Sequence, residues 1–279
     1  MAGVRAVGFR LSYFHGLWGM SLPTLEHNLR RIREGGFDGV EMGVPEEEGQ
    51  RRELEALLES LGLSLIAQQW TRGASPEEHA ASFEAQYRRA AELQPVLVNS
   101  HSGKDWFTTE ENLLVLLHAA RLEEELGLPV AHEVHRGRAT FSTTATAALL
   151  QRMPDLKLAA DFSHWCCVHE SLLEDQEQLL ERPIARSFHL HARVGHAEGP
   201  QVNDPRAPEW QAAVRAHLGW WQRIVDHRRQ EGAKLLTVCP EFGPPDYMPT
   251  LPYTRQPVVD LWEVNCHMKD LLEKRLRAG

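Results

Sequence analysis

Four short apolar runs between residues 130 and 243 each lead into a side chain able to hold a metal ion. They read Val130-Ala131-His132-Glu133-Val134-His135, Leu158-Ala159-Ala160-Asp161-Phe162-Ser163-His164, Phe188-His189-Leu190-His191-Ala192-Arg193 and Val238-Cys239-Pro240-Glu241-Phe242-Gly243. Glu133, Asp161, His191 and Glu241 fall at matching positions in these runs. Three carboxylates and one imidazole make a hard, mostly oxygen donor set. It suits one divalent ion (Mn2+, Mg2+, Co2+ or Zn2+) and lacks the thiolates of a structural zinc site. A hydroxyl or carbonyl oxygen held by such an ion becomes a better acid or electrophile. The chain has 15 histidines, the commonest metal ligand, but position rather than abundance has to decide which of them matter.

The elements that would position these residues follow from periodicity. Short apolar or β-branched runs alternate with longer amphipathic stretches along the whole chain. Strands are expected at residues 4–14, 39–44, 63–70, 96–99, 130–134, 158–161, 187–192 and 235–238. Helices are expected at 22–34, 45–61, from 75, and at 109–126, 143–153, 173–181, 209–230 and 258–277. Ser75-Pro76-Glu77-Glu78 carries a small polar cap, a first-turn proline and two acids, the signals of a helix start. Gly62 and Gly127 stop the helices before them. Eight strand–helix units in order, with no linker, predict an α/β fold in which residues 1–279 form a single (β/α)8 TIM barrel. A doubly wound open sheet would place a Gly-rich GxGxxG turn after its first strand, and none occurs there. In the barrel, strand C-termini face the active site, and every second side chain of a strand points inward. Glu133 and His135 then share a face and His132 points away, while His189 and His191 point the same way.

Length fits one such barrel of roughly 250 residues, at 279 residues with 42% hydrophobic and 25% charged. A formal net charge of −9 opposes a polyanionic partner, so no nucleic acid is expected. No run approaches the roughly 20 apolar residues a membrane span needs, and residues 1–8 lack a signal peptide. Four cysteines without a CxxC pair are no disulfide framework. A cytoplasmic protein acting on a small sugar-like molecule is the expectation, and a homo-oligomer is compatible with the sequence.

Glu, then Asp-x-x-His, then His, then Glu on successive strands resembles the sugar isomerase/epimerase superfamily of xylose isomerase-like barrels. The resemblance implies a metal held by Glu133, Asp161, His191 and Glu241, with His164 on the substrate side and Glu133 and Glu241 as the acid/base pair. It implies isomerisation or epimerisation of a small sugar, sugar phosphate or hydroxy-acid through an enediolate. Two positions depart from the ketose 3-epimerase pattern: Ala139 stands where those enzymes carry a glutamate, and Ala197 where they carry an arginine.

Further candidates surround the ligands. His164 can touch substrate or orient Asp161 from behind. His101 and Lys104 follow the fourth strand in a loop, where function concentrates. Arg136 and Arg193 can clamp a carboxylate or phosphate, or pair with the local carboxylates. Glu41 ends the second strand and can accept from a sugar hydroxyl. Trp165, with Trp70 and Trp106, can cover a sugar face, whereas Trp220, Trp221 and Trp262 read as helix packing. A dehydratase of a cyclic polyol begins with the same proton abstraction and is the close rival. An endonuclease of this architecture, which needs several zinc ions and a basic face, and a non-catalytic binding barrel are the other classes.

Overall fold

The computed structural model describes residues 8–276. Eight parallel strands close in sequential order: β1 Arg10–Gly16, β2 Gly39–Gly43, β3 Ser64–Trp70, β4 Leu97–His101, β5 Val130–Glu133, β6 Leu158–Ala160, β7 Ser187–His191 and β8 Leu235–Cys239. Closure is made by β1 on β8, with Arg10 opposite Leu235 and Tyr13 opposite Val238. The chain is therefore a (β/α)8 barrel, as the alternation predicts. Between the strands run α1 Leu25–Glu34, α2 Glu48–Leu61, α3 Pro76–Ala91, α4 Thr109–Leu126, α5 Thr143–Arg152, α6 Ser163–Val168, α7 Glu177–Ala185, α8 Gln211–Gln230 and α9 Leu261–Arg275. Among the described residues no helix is long and apolar enough to cross a membrane.

Local chemistry sets the boundaries. Ser75 accepts from Glu78 N–H at the start of α3, and Thr108 with Glu111 forms a capping box on α4, each satisfying amides the first helical turn leaves open. Gly62 and Gly127 end α2 and α4 in the left-handed conformation, which glycine adopts without a Cβ penalty. The expected start of the first strand at 4–7 and the end of the last helix at Arg277 lie outside the described residues.

The unit after β6 differs from expectation. A short helix, α6, begins immediately past Asp161, and α7 starts later than 173 and runs through Pro183. The apolar run Trp165-Cys166-Cys167-Val168 is too short to show helical period, so α6 is hidden in the sequence.

Packing divides into a shell and a plug. Helix faces meet the outer side of the barrel in a large apolar layer that includes Leu29, Ile32, Leu54, Trp221 and Ile224. Inside the barrel, Phe14, Ile66, Leu97, Ala131, Ala159 and Cys239 fill the space below the site. A filled interior rather than a pore is the rule for this barrel.

Candidate metal centre

Glu133 ends β5, Asp161 follows β6, His191 ends β7 and Glu241 lies just past β8. One ligand-type atom from each comes within 4.8 Å of the others. The four side chains are 1%, 0%, 0% and 8% exposed, so their charges are held away from water, which is costly unless they are compensated.

Neighbours fix each ligand. Asn99, inward on β4, donates from Nδ2 to Glu133 Oε2 at 2.7 Å and to Glu41 Oε1 at 2.8 Å. Ser163 donates to Asp161 Oδ1 from its amide at 3.2 Å and also from its hydroxyl. Arg193 Nη2 donates to Asp161 Oδ2, and to His164 Nε2 at 2.8 Å. It also lies 3.6 Å from Glu241 Oε2.

Three ligand atoms remain open. Glu133 Oε1, His191 Nδ1 and Glu241 Oε2 are buried and make no hydrogen bond among the described residues. His191 Nδ1 stands 2.9 Å from Glu241 Oε2 and 3.4 Å from Glu133 Oε2, close but without hydrogen-bond geometry. Buried polar atoms are rarely left without partners, and a cation held among the four side chains would supply one. The electrostatics agree. Burial pushes Glu133 up, and the Glu241 charge adds to this against the pull of His191. Burial also raises Glu241, but His191 and Arg193 together outweigh it and hold that carboxyl down at about 2. Burial opposes a charge on His191 as well, yet Glu241, Glu41 and Glu133 draw it well above its ordinary range. Burial likewise raises Asp161, to about 7, against the pull of Arg193, so the acidic side chains crowd around one guanidinium and one imidazole, and the donor set fits a divalent ion.

Above the centre opens a cavity of about 480 Å3, within the range of small-molecule sites. Trp18, Trp70 and Tyr247 give it aromatic walls, while Glu133, Arg193 and Glu241 lie on its lining. His101 and His135 line it too. Burial is the main cause that lowers both imidazoles to about 3, so both are neutral at pH 7. His101 stacks on Trp70 with ring centroids 5.3 Å apart and places Nε2 2.8 Å from Glu133 Oε2.

The other sequence candidates are placed unevenly. Arg193 lies on the cavity lining, tied to Asp161. Arg136 is exposed beyond the rim, its guanidinium 5.3 Å from the Tyr247 ring, and it is not a lining residue. Lys104 is held through its backbone by Asn112, outside the lining. His164 is fully buried beneath His135, their centroids 3.9 Å apart. It braces Arg193 and does not line the cavity. Glu41 is buried below the ligands, hydrogen-bonded to His189 and His191, and does not reach the lining either.

Trp165 corrects an expectation. It stacks on Phe162 at 4.7 Å, donates from Nε1 to Thr140 O at 3.0 Å and has no exposed surface. It is core rather than a platform for substrate, because α6 turns its side chain under the barrel wall. Trp106 is 66% exposed and packs on Phe107, away from the cavity.

Residues that the sequence reading did not nominate include Asn99, Gln68, Trp18 and Tyr247. Alternation on β4 places Asn99 on the face of His101, and that signal was available. Tyr247 lies in the proline-rich segment Pro244-Pro245-Asp246-Tyr247, which has no period to read.

Residues 29–243 match the profile of the xylose isomerase-like TIM barrel. The chain belongs to that family. Comparison with curated proteins gives no significant match. Among solved structures, a D-tagatose 3-epimerase-like protein superposes with TM-score 0.63 at 11% identity, covering 95% of this chain and 97% of that one. A xylose isomerase-like TIM barrel protein from Mycobacterium smegmatis, in complex with magnesium, gives 0.62 at 12% identity over 90% and 87%. Endonuclease IV from Thermus thermophilus gives 0.58 at 14% identity over 96% and 100%. At these identities the likeness is one of fold, and three different descriptions share it.

Proposed function

We propose that this member of the family is a divalent-metal-dependent isomerase or epimerase of a small sugar, sugar phosphate or hydroxy-acid. The observation that carries the reading is the convergence of Glu133, Asp161, His191 and Glu241 within 4.8 Å, with three buried donor atoms left open. The ion is Mn2+, Zn2+, Co2+ or Mg2+, the metals this donor set suits. When bound, it supplies Lewis polarisation of a substrate oxygen.

Glu133 and Glu241 are the acid/base pair of this reading. Both border the cavity, where a substrate carbon next to a carbonyl can reach them. One carboxylate takes the proton from that carbon to give an enediolate, and the other returns a proton to the second carbon or to the opposite face. Arg193, fixed by Asp161 and Ser163, places positive charge beside the developing oxyanion. Gln68 and His101 on the cavity wall orient hydroxyl groups, and the aromatic walls suit the apolar faces of a sugar ring. A cavity of about 480 Å3 and the acidic net charge of −9 favour a small molecule over a nucleic-acid duplex.

The test has two readings. Protein purified without chelator or affinity nickel is expected to carry about one Mn, Zn, Co or Mg per chain by elemental mass spectrometry. In D2O, the loaded protein should wash deuterium into a ketose, sugar phosphate or hydroxy-acid from a screened panel. Glu133→Gln and Glu241→Gln should slow the exchange about 10²–10⁴-fold, the usual worth of a general acid or base. A product lighter by one water would replace isomerisation with dehydration. No metal retained after incubation in excess Mn2+ or Zn2+ would remove the reading altogether.

A further inference from the structure

Below the four ligands lies a second polar layer. Glu41 sits in the middle of β2, opposite Ile66 of β3, which in turn faces Leu97, so it emerges at the level of the apolar plug. Only 2% of it is exposed, and a carboxylate at that depth must be fully hydrogen-bonded to be tolerated. Its two oxygens are both used. Oε1 takes His191 Nε2 at 2.9 Å and the Asn99 amide at 2.8 Å, and Oε2 takes His189 Nε2 at 3.1 Å. Behind His189, Nδ1 lies 2.8 Å from the Thr237 hydroxyl and 3.1 Å from the Thr237 carbonyl oxygen, while Nε2 faces the Glu41 carboxylate, which can only accept, so Nε2 carries a proton.

We infer that Glu41 is a positioning residue for the metal centre: it holds the His191 proton on Nε2 and thereby presents Nδ1 as the ligand atom. This rests on the metal reading above. A neutral imidazole has one N–H and one lone pair, and an ionised carboxylate only accepts. The Glu41 contact therefore fixes which nitrogen is which. Nδ1 is the nitrogen that faces Glu133 and Glu241, and it makes no hydrogen bond among the described residues. Glu41, His189 and His191 also lie close enough to one another to hold an ion of their own. Both imidazoles are already engaged by Glu41, so the geometry there is that of a hydrogen-bonded support. A carboxylate behind a metal-bound histidine locks ring orientation and raises ligand basicity. Asn99 extends the same support to Glu133, since one amide bridges Glu41 and Glu133.

The experiment uses the full chain, stripped of metal and titrated with Co2+ against a chromophoric chelator. Glu41→Gln keeps the volume and one acceptor but loses the charge. It is expected to fold, by circular dichroism, and to bind Co2+ about 10–100-fold more weakly, the usual effect of losing such a partner. In 15N-histidine-labelled protein loaded with Zn2+, the His191 signals should leave the Nε2–H, Nδ1-ligated pattern, which a merely structural role would not change. A folded Glu41→Gln protein with unchanged Co2+ affinity and unchanged His191 signals overturns the inference and leaves the metal centre standing. Wild-type protein that takes up no Co2+ overturns the metal centre and the inference with it. Should Glu41→Gln fail to fold, Glu41→Asp decides: it keeps the charge but draws the carboxylate back by one methylene from His191 Nε2, so a weakened Co2+ affinity supports the inference and an unchanged one overturns it.

Discussion

His217 on α8 gives a stability test that is independent of any ligand. The ring is fully buried. Nδ1 donates to Ala213 O at 2.9 Å, and Nε2 accepts from Gly195 N–H at 3.2 Å. Both nitrogens are thus committed to one neutral tautomer, and a second ring proton would point at the Gly195 amide. Burial lowers the imidazole from 6.5 to about 4, against the Ala213 bond that raises it. The unfolded chain then takes up a proton at a higher pH than the folded one. Stability from this group is fully present above pH 6.5 and is lost as pH falls toward 4. Between pH 7 and pH 5 the linkage amounts to about 2 kcal/mol. Urea unfolding of wild type and His217→Gln at both pH values measures it. Other buried histidines, such as His132, are common to both proteins and cancel. The wild-type loss should exceed the variant's by about 2 kcal/mol; equal losses would refute the assignment of a neutral, backbone-locked His217. At pH 7 the variant should itself be about 1–3 kcal/mol less stable, if the buried Gly195 amide loses its acceptor.

Two substitutions probe how the scaffold supports the site. A Cβ at Gly195 would stand 2.6 Å from Ser163 O and 2.8 Å from Ser163 Cα, so Gly195→Ala should cost about 1–3 kcal/mol by overpacking. Because Ser163 holds Asp161, metal affinity should fall as well, and urea unfolding alongside Co2+ titration reads both effects. Trp165→Ala should lower stability by about 3–5 kcal/mol, the usual cost for a buried aromatic, with KM unchanged in whatever fraction stays folded. Trp70→Ala on the cavity wall should do the reverse, raising KM with little change in Tm.

What the sequence disclosed was decided by whether a signal is local. Strand–helix alternation and the glycine stops at Gly62 and Gly127 are local, and the barrel follows from them. Glu133, Asp161, His191 and Glu241 were legible because each lies beside the end of an apolar run, where the fold exposes side chains to one mouth. Trp165 was misplaced because α6 starts only two residues after Asp161 and its six residues give no period. Tyr247 went unseen for a related reason, since its position depends on a proline-rich loop folding back over the rim.

Glu41 shows a subtler limit, which is depth. Sequence alternation gives the face of a side chain but not its layer, and layer comes from register with the neighbouring strands. β2 continues to Gly43, so Glu41 lies below the mouth, whereas β5 stops at Glu133 itself. Two glutamates that look alike as strand-end acids therefore land one above the other, with His191 touching both at 2.9 and 3.4 Å. The upper one can meet a substrate, and the lower one acts through His191 and Asn99. The same logic separates His191 from His189, two residues below it on β7. A site of this kind is a stack in which each layer orients the one above it, so substitutions in the lower layer should register first in metal affinity and only afterwards in turnover.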